Sequence, residues 1–409
     1  MKTKFMLKIF LILIPIVIKI IASIYAFQSY EFMKTFESST IRFFVGNNQA
    51  IPWIRFNHMI YEFWKLAINS NNSIIDLNNF QNSLEINLLI FLLKLPILIA
   101  DIACGILVYF LTKIFSSNEA FLALALWLWN PYITITAEML GSNDLIAVAF
   151  MLFSLLLFMK KRIFLSSLFL SFGMAFKLFP ILMLPIYSIF LIKNKKPYSL
   201  MILLLLSILG FSIYSYWVSL SGIEFLYSLI EYNPLTQYFS EITLKPYAST
   251  IGLSLTSIAI YCFILYEYWQ LNIENLFDSV LGFLLVFFSF FNWQPQYLLW
   301  VLPLLTLDFS LYSNRRIYSI LWLLTAFIFQ LIVFDFGFDK GLFFIPNCNE
   351  IMENISRMLS WINKNLIMKV VIEPILRACF AGISLVYSFK LIIKNLSFNK
   401  YSYDFSLLR

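Results

Sequence analysis

The chain has 409 residues, of which 61% are hydrophobic and 12% charged, with 45 Phe and a formal net charge of +7. Soluble domains run at about 25% charged residues, so this composition excludes an ordinary soluble enzyme and indicates a polytopic membrane protein. The positive balance is not a nucleic-acid signature, because the basic residues are scattered through short loops, where Lys and Arg orient spans toward the cytoplasm.

In chain order, the first apolar stretch (5–27) follows Lys2, Lys4 and Lys8 and shows no convincing Ala-x-Ala cleavage site, so it reads as a retained span running outward. Residues 28–87 form a polar first extracytoplasmic loop holding Glu31, Glu37, Glu62, Asp76 and Glu85. Its aromatic pieces (Phe43, Trp53, Phe56, Tyr61, Phe63 and Trp64) predict amphipathic helices at the interface. Spans are expected at 88–111, which ends at Lys113, and at 120–136, which leads to Glu138, Asn143 and Asp144. The fourth span stops at Lys160-Lys161-Arg162.

The run 163–192 is basic at both ends, with Lys177, Pro180 and Pro185 in its middle. Both ends read as cytoplasmic, and the prolines interrupt a straight helix. The run therefore predicts two short segments in a hairpin with Lys177 near its outer tip. Further spans are expected at 200–220, 248–268, 277–291, 297–312, 317–334 and 370–393. The acidic stretch 221–246, the link 292–296 and residues 335–369 fall outside; Asn314-Arg315-Arg316 falls inside. The pattern predicts an all-α fold, a polytopic bundle of about 12 spans with both termini inside. It forms one transmembrane module over 1–393, followed by a cytoplasmic tail at 394–409.

Cys104, Cys262, Cys348 and Cys379 show neither metal spacing nor a disulfide framework, and the single histidine, His58, excludes zinc chemistry built on His clusters. His58 lies among aromatics, which suits interfacial packing.

Lys177 is the most informative ionisable residue. An ammonium deep in an apolar run costs several kcal/mol unless something negative or wet meets it, and it lies too far from either basic flank to snorkel. It is read as an anion contact. Lys94 and Asp101 are seven residues apart, about two helical turns on one face, and read either as a structural pair or as two groups met by neighbouring helices. Asn143 and Asp144 suit a helix N-terminus, and equally suit presenting an amide and a carboxylate to an outer cavity. Gln294, Gln296 and Tyr297 form an amide-rich outer link fit for sugar hydroxyls or for a tight turn. Glu31, just after the first span, can accept a proton from a hydroxyl or be an ordinary solvated acid.

Several motifs occur in one order: Lys94-Leu95-Pro96 with Asp101, Asn130-Pro131, Gly141-Ser142-Asn143-Asp144, Lys177-Leu178-Phe179-Pro180 with Pro185, and Gln296-Tyr297-Leu298-Leu299-Trp300. Together they resemble the GT-C class of integral membrane glycosyltransferases. The likeness is to the GPI mannosyltransferase I catalytic subunit and to archaeal and bacterial polyprenyl-phosphate-mannose-dependent mannosyltransferases. The resemblance implies an inverting enzyme of the cell membrane (the ER membrane in a eukaryote) with its site on the extracytoplasmic side. It would move a hexose, mannose by likeness, from a polyprenyl (dolichyl) phosphate carrier to a glycan acceptor. In such enzymes acids of the first outer loop, often Asp-x-Asp, carry catalysis. Here the stretch reads Ser29-Tyr30-Glu31, so the first acid is absent. Glu31 is then the catalytic residue, with Glu37 as a substitute, and a divalent metal ion stays open as a cofactor.

On this reading Lys177, Lys94 and Lys245 meet the donor phosphate, and Asn143, Asp144, Gln294, Gln296 and Tyr297 meet sugar or acceptor. Asp101 and Pro180 support the site. The expected partners are the lipid-linked donor, membrane lipid, the acceptor glycan and a small membrane subunit, with no nucleic acid. The rival readings are a transporter or flippase of lipid-linked sugars, which would show two similar halves that this chain lacks, and an inactive paralogue.

Overall fold

The computed structural model describes residues 2–25, 51–67, 84–219, 275–290, 295–333 and 373–397, with the single positions 263, 266 and 271. Among the described residues every regular element is a helix and none is a strand. Among the described residues two helical stretches are long and apolar enough to cross a membrane, Leu88–Phe115 and Pro197–Ser215; a bent pair, Ala120–Leu128 with Pro131–Met139, makes a third if it counts as one span. The chain is a mostly helical membrane protein. Of the span expected at 248–268, only positions 263 and 266 are described.

Helix α1 (Lys2–Tyr25) packs on α3 (Leu84–Phe115), and between them in sequence lies α2 (Ile51–Ala67). The amphipathic helix expected in the first loop is α2. Its Tyr61 and Trp64 are buried with Leu89, Ile90 and Leu93 at the start of α3. Met59, Phe63 and Leu66 are exposed on its other side, a distribution suited to a helix lying at a membrane boundary. His58 on the same helix is half-buried.

Residues 120–136 were expected as one span, but the structure bends it within that stretch. Helix α4 (Ala120–Leu128) stops before Asn130, whose side chain accepts the Tyr132 amide and caps the short α5 (Pro131–Ile133). Pro131 removes an amide that would have continued α4, and the two pieces meet at 40°. A π-helical turn, Thr134–Met139, follows. Gly141 then takes φ 73°, a conformation that glycine adopts freely, and turns the chain into α6 (Asp144–Met159).

Helix α7 (Ile163–Phe176) runs back along α6, with Ser154 and Ser166 hydroxyls 3.0 Å apart. Lys177 is fully extended (φ −147°, ψ 141°), a 3₁₀ turn spans Phe179–Met183, and α8 (Leu184–Lys193) follows with Pro185 in its first turn. The chain then descends again. Tyr187 stacks on Phe158 at 3.9 Å and its hydroxyl lies 3.5 Å from Ser154, so α8 returns to the level at which α7 began. Residues 163–193 are thus the expected hairpin, with Lys177 at its tip.

Helix α9 (Pro197–Ser219) lies against α7 so closely that a Cβ on Gly210 would stand 2.5 Å from the Ser171 carbonyl oxygen. Its other face, including Met201, Leu205 and Ile208, is exposed and apolar, as a lipid-facing side should be.

The C-terminal part comprises α10 (Leu276–Phe290), a 3₁₀ turn (Pro295–Trp300), α11 (Leu302–Leu311), a second 3₁₀ turn (Ser313–Arg315), α12 (Arg316–Val333) and α13 (Glu373–Ser397). A buried cluster ties them together. Arg315 holds Asp278 of α10 through two bonds of 2.7 and 3.0 Å and Asp308 of α11 at 2.7 Å. Tyr387 of α13 donates to the other oxygen of Asp308 and sits 2.7 Å from Ser319 of α12. Arg315 is paired with both carboxylates through its terminal nitrogens, which meets the main requirement for burying these charges, while its Nε has no partner among the described residues. Helix α11 also packs on α3 and α4, joining this part to the first.

Candidate active site

Two constellations of buried charge meet at the turn 140–143. The first lies below it, among α1, α3 and the π turn. Lys19 of α1 donates to Asp101 of α3, and the Trp127 indole donates to the other Asp101 oxygen at 2.8 Å. All three are fully buried. Lys94, one exposed edge short of complete burial, donates to the carbonyl oxygens of Glu138 and Met139 at 2.8 and 3.1 Å. These carbonyls end the π turn, where no following amide reaches them in helical register: Gly141 N–H turns back to Ala137 and Ser142 N–H to Thr136. A lysine satisfying the last carbonyls of a helix is a recognised solution. Asp101 and Lys94 therefore do not pair with each other. Each is met by a neighbouring helix, one of the two arrangements the seven-residue spacing left open.

The residue that sequence reasoning passed over here is Glu138. It is fully buried, and both its carboxylate oxygens lack a hydrogen-bond donor among the described residues. It stands within electrostatic reach of Lys19 and Asp101. Lys19 was missed because a single lysine in an apolar helix resembles a flank residue until the facing carboxylate is placed.

The second constellation lies above the turn. Asp144, the first residue of α6, forms an ion pair with Lys177 at 3.1 Å, the two side chains being 2% and 23% exposed. The other Asp144 oxygen accepts the Trp300 indole N–H at 3.0 Å. Trp300 is stacked face to face on Phe179 at 4.1 Å and packs against Tyr297 at 4.6 Å. Four stretches far apart in sequence converge here: the start of α6, the tip of the hairpin, the 3₁₀ turn 295–300, and Tyr214 of α9, which feels the charge of both Asp144 and Lys177. Pro180 is buried against α7, close to Gly173, and ends α7 just where Lys177 must leave it.

Asn143 occupies the cap position of α6, but its side chain makes no cap bond. Its buried amide nitrogen has no acceptor among the described residues, and Ser142 Oγ faces the Asp144 amide at 3.5 Å instead. Gln296 and Tyr297 are half-buried beside Trp300. Glu31, Glu37, Lys245 and Gln294 lie outside the described residues.

Lys177 is the cation of this group that keeps a solvent-accessible surface. It lies beyond the last turn of α7, on extended backbone, with its side chain 23% exposed and its ammonium paired with Asp144. Among the described residues no three His, Cys, Asp or Glu side chains gather as a metal site. A separate cavity of about 650 Å³ between α4 and α12 is almost wholly apolar, lined by Leu122, Trp129, Leu323 and Phe327 among others, and has the chemistry of a lipid chain, not of a sugar.

No curated protein matches the chain. Residues 73–193, under a third of the chain, match the family model of the MptA_B family, described as alpha-(1->6)-mannopyranosyltransferase, N-terminal domain. That stretch holds Lys94, Asp101, Glu138, Asn143, Asp144 and Lys177, and it bears out the resemblance of the chain to a mannosyltransferase family.

Proposed function

We propose that the protein is an inverting mannosyltransferase that takes its sugar from a polyprenyl phosphate carrier on the extracytoplasmic face of the membrane. The observation that carries this reading is the pairing of Lys177 and Asp144 at the tip of a broken hairpin, within the stretch that matches a mannosyltransferase family. The loss of a phosphate-bound leaving group needs a fixed cation where negative charge develops, and a lysine serves as a point charge for phosphate. Lys177 fills that role, with Lys245 as a second cation. Lys94 is buried against the π turn and is assigned to holding the turn in place.

In the reaction, the oxygen of the acceptor hydroxyl attacks the anomeric carbon. The bond from that carbon to the phosphate oxygen breaks, and its electron pair leaves with the polyprenyl phosphate. The hydroxyl proton passes to the Glu31 carboxylate, the general base, with Glu37 as its substitute. Asn143, Gln294, Gln296 and Tyr297 orient the sugar and acceptor. A divalent ion at the first-loop acids, if bound, would supply further charge for the phosphate. We place these groups in one GT-C-like bundle of about 12 spans, the number that the alternation of basic and acidic loops calls for.

The test is transfer by the purified protein, offered polyprenyl-phosphate mannose or a nucleotide mannose, with and without Glu31→Gln. Turnover with the lipid-linked donor alone, lost in the variant, is the expected result. Turnover with the nucleotide sugar, or none with any lipid-linked sugar, contradicts the reading; the second outcome favours a carrier or an inactive relative.

A further inference from the structure

A lysine alone is a poor choice for an enzyme that must release its phosphate. Under the function proposed above, the donor is a phosphodiester with one negative charge. The spent carrier is a monoester that has lost its second proton by neutral pH, where it holds roughly two. A bare ammonium therefore binds product more tightly than donor and leaves the site blocked. The structure contains a counterweight. Asp144 stands 3.1 Å behind Lys177 and is 2% exposed. It cannot swing away when an anion arrives, because its second oxygen is held by the Trp300 indole at 3.0 Å, and that ring is buried and stacked on Phe179. Tyr214, which the pair faces from α9, is uncharged when protonated and leaves the balance between Lys177 and Asp144 unchanged.

We infer that Asp144 sets the charge selectivity of the phosphate site. Its fixed carboxylate reduces the preference of Lys177 for the dianionic monoester over the monoanionic phosphodiester, so that the spent carrier leaves. At the distance of a bound phosphate, the repulsion by Asp144, one ion-pair length farther away than Lys177, offsets roughly half of the attraction of Lys177 for the extra product charge. The attraction returns when the carboxylate is removed. Asp144 is thus a specificity residue acting through Lys177. This inference rests on the proposed reading of the site, and its test separates the two.

The probes are farnesyl phosphate and its methyl ester, which share a chain and differ by one charge at about pH 8, bound to the full-length protein in nanodiscs. Wild type is expected to bind the monoester only a few-fold more tightly than the methyl ester, about fivefold at most. Asp144→Asn keeps an acceptor for Trp300 and is expected to gain about tenfold or more in affinity for the monoester relative to the ester. Asp144→Glu is expected to keep the wild-type ratio. A ratio of two affinities in one preparation does not depend on the folded fraction, and Asp144→Ser serves if the Asn variant does not fold. A wild type that prefers the monoester by about tenfold, or an Asn variant that shifts both probes equally, overturns the inference. Loss of both probes from Lys177→Met supports the phosphate site itself. Undiminished binding of both by that variant overturns the placement of phosphate at Lys177, and the selectivity with it.

Discussion

Among the described residues most buried charges, Glu138 excepted, are held by a defined partner, and the partners differ in what they tolerate. Lys19 and Asp101 are both fully buried and meet each other. Removing one leaves the other uncompensated, a change that costs about 3–5 kcal/mol in buried pairs. Asp101→Leu should lower the melting temperature of the purified protein sharply, and Lys19→Met with Asp101→Leu together should recover only part of the loss, because buried Glu138 then loses a cation within its electrostatic reach. A double variant as stable as wild type would contradict that role of Glu138. Lys177 behaves differently because it is partly exposed and sits on extended backbone. Lys177→Ala is expected to abolish use of the donor lipid while leaving thermal unfolding within a few degrees of wild type. Equal loss of expression, stability and activity would make it a structural lysine. The sequence singled out Lys177 because two prolines and distance from both flanks gave its burial a local signature. It carried no such signature for Glu138, Lys19, Arg315 or Asp308, whose meaning depends on helices that only the tertiary fold brings together.

At the scale of elements, the turns on the basic side carry lysine in a conformation better suited to glycine. Lys161 and Lys195 adopt φ 59° and 52°. At the end of α6, Lys161 N–H reaches Phe158 and Arg162 N–H reaches Leu157. At the end of α8, Lys195 N–H reaches Ile192 and Lys196 N–H reaches Leu191. Both are the paired bonds of a Schellman turn, whose left-handed position usually holds glycine. On the proposed topology, positive charge in these short loops orients the spans, which accounts for lysine at a position that backbone preference gives to glycine. Lys161→Gly is therefore expected to stabilise the folded protein by about 0.5–1 kcal/mol, read from thermal unfolding, while membrane insertion becomes less uniform. A loss of stability would contradict the strain. Gly210→Ala should destabilise, because its methyl group would press on the Ser171 carbonyl and separate α7 from α9; a shift of about 1–3 kcal/mol is expected for an overpacked contact. The hairpin at 163–193 was legible in the sequence because prolines and basic flanks are local signals. The bend at Asn130 and the π turn after it were not, since a helix-breaking Asn-Pro in an apolar run is equally compatible with a kinked single span.

For the molecule as a whole, the account requires that the turns at 160–162, 194–196 and 313–315 share one side of the membrane and the turn at 140–143 lie on the other. Single cysteines at Lys161, Lys195 and Asn314, in a background with Cys104, Cys262, Cys348 and Cys379 replaced, should react with an impermeant thiol reagent only from the cytoplasmic face. Labelling of any of the three from outside would break the proposed topology. The same arrangement explains why Asp144, Lys177 and Trp300 converge at one end of the bundle although the chain separates them by more than one hundred and fifty positions. The most direct measurement is a structure of the full chain with a short polyprenyl phosphate bound. The account predicts phosphate oxygens within salt-bridge reach of Lys177 Nζ, about 4 Å or less, in a cleft that also holds Asp144 and Glu31. Phosphate seated away from Lys177, or Glu31 on the opposite face of the membrane, would contradict it.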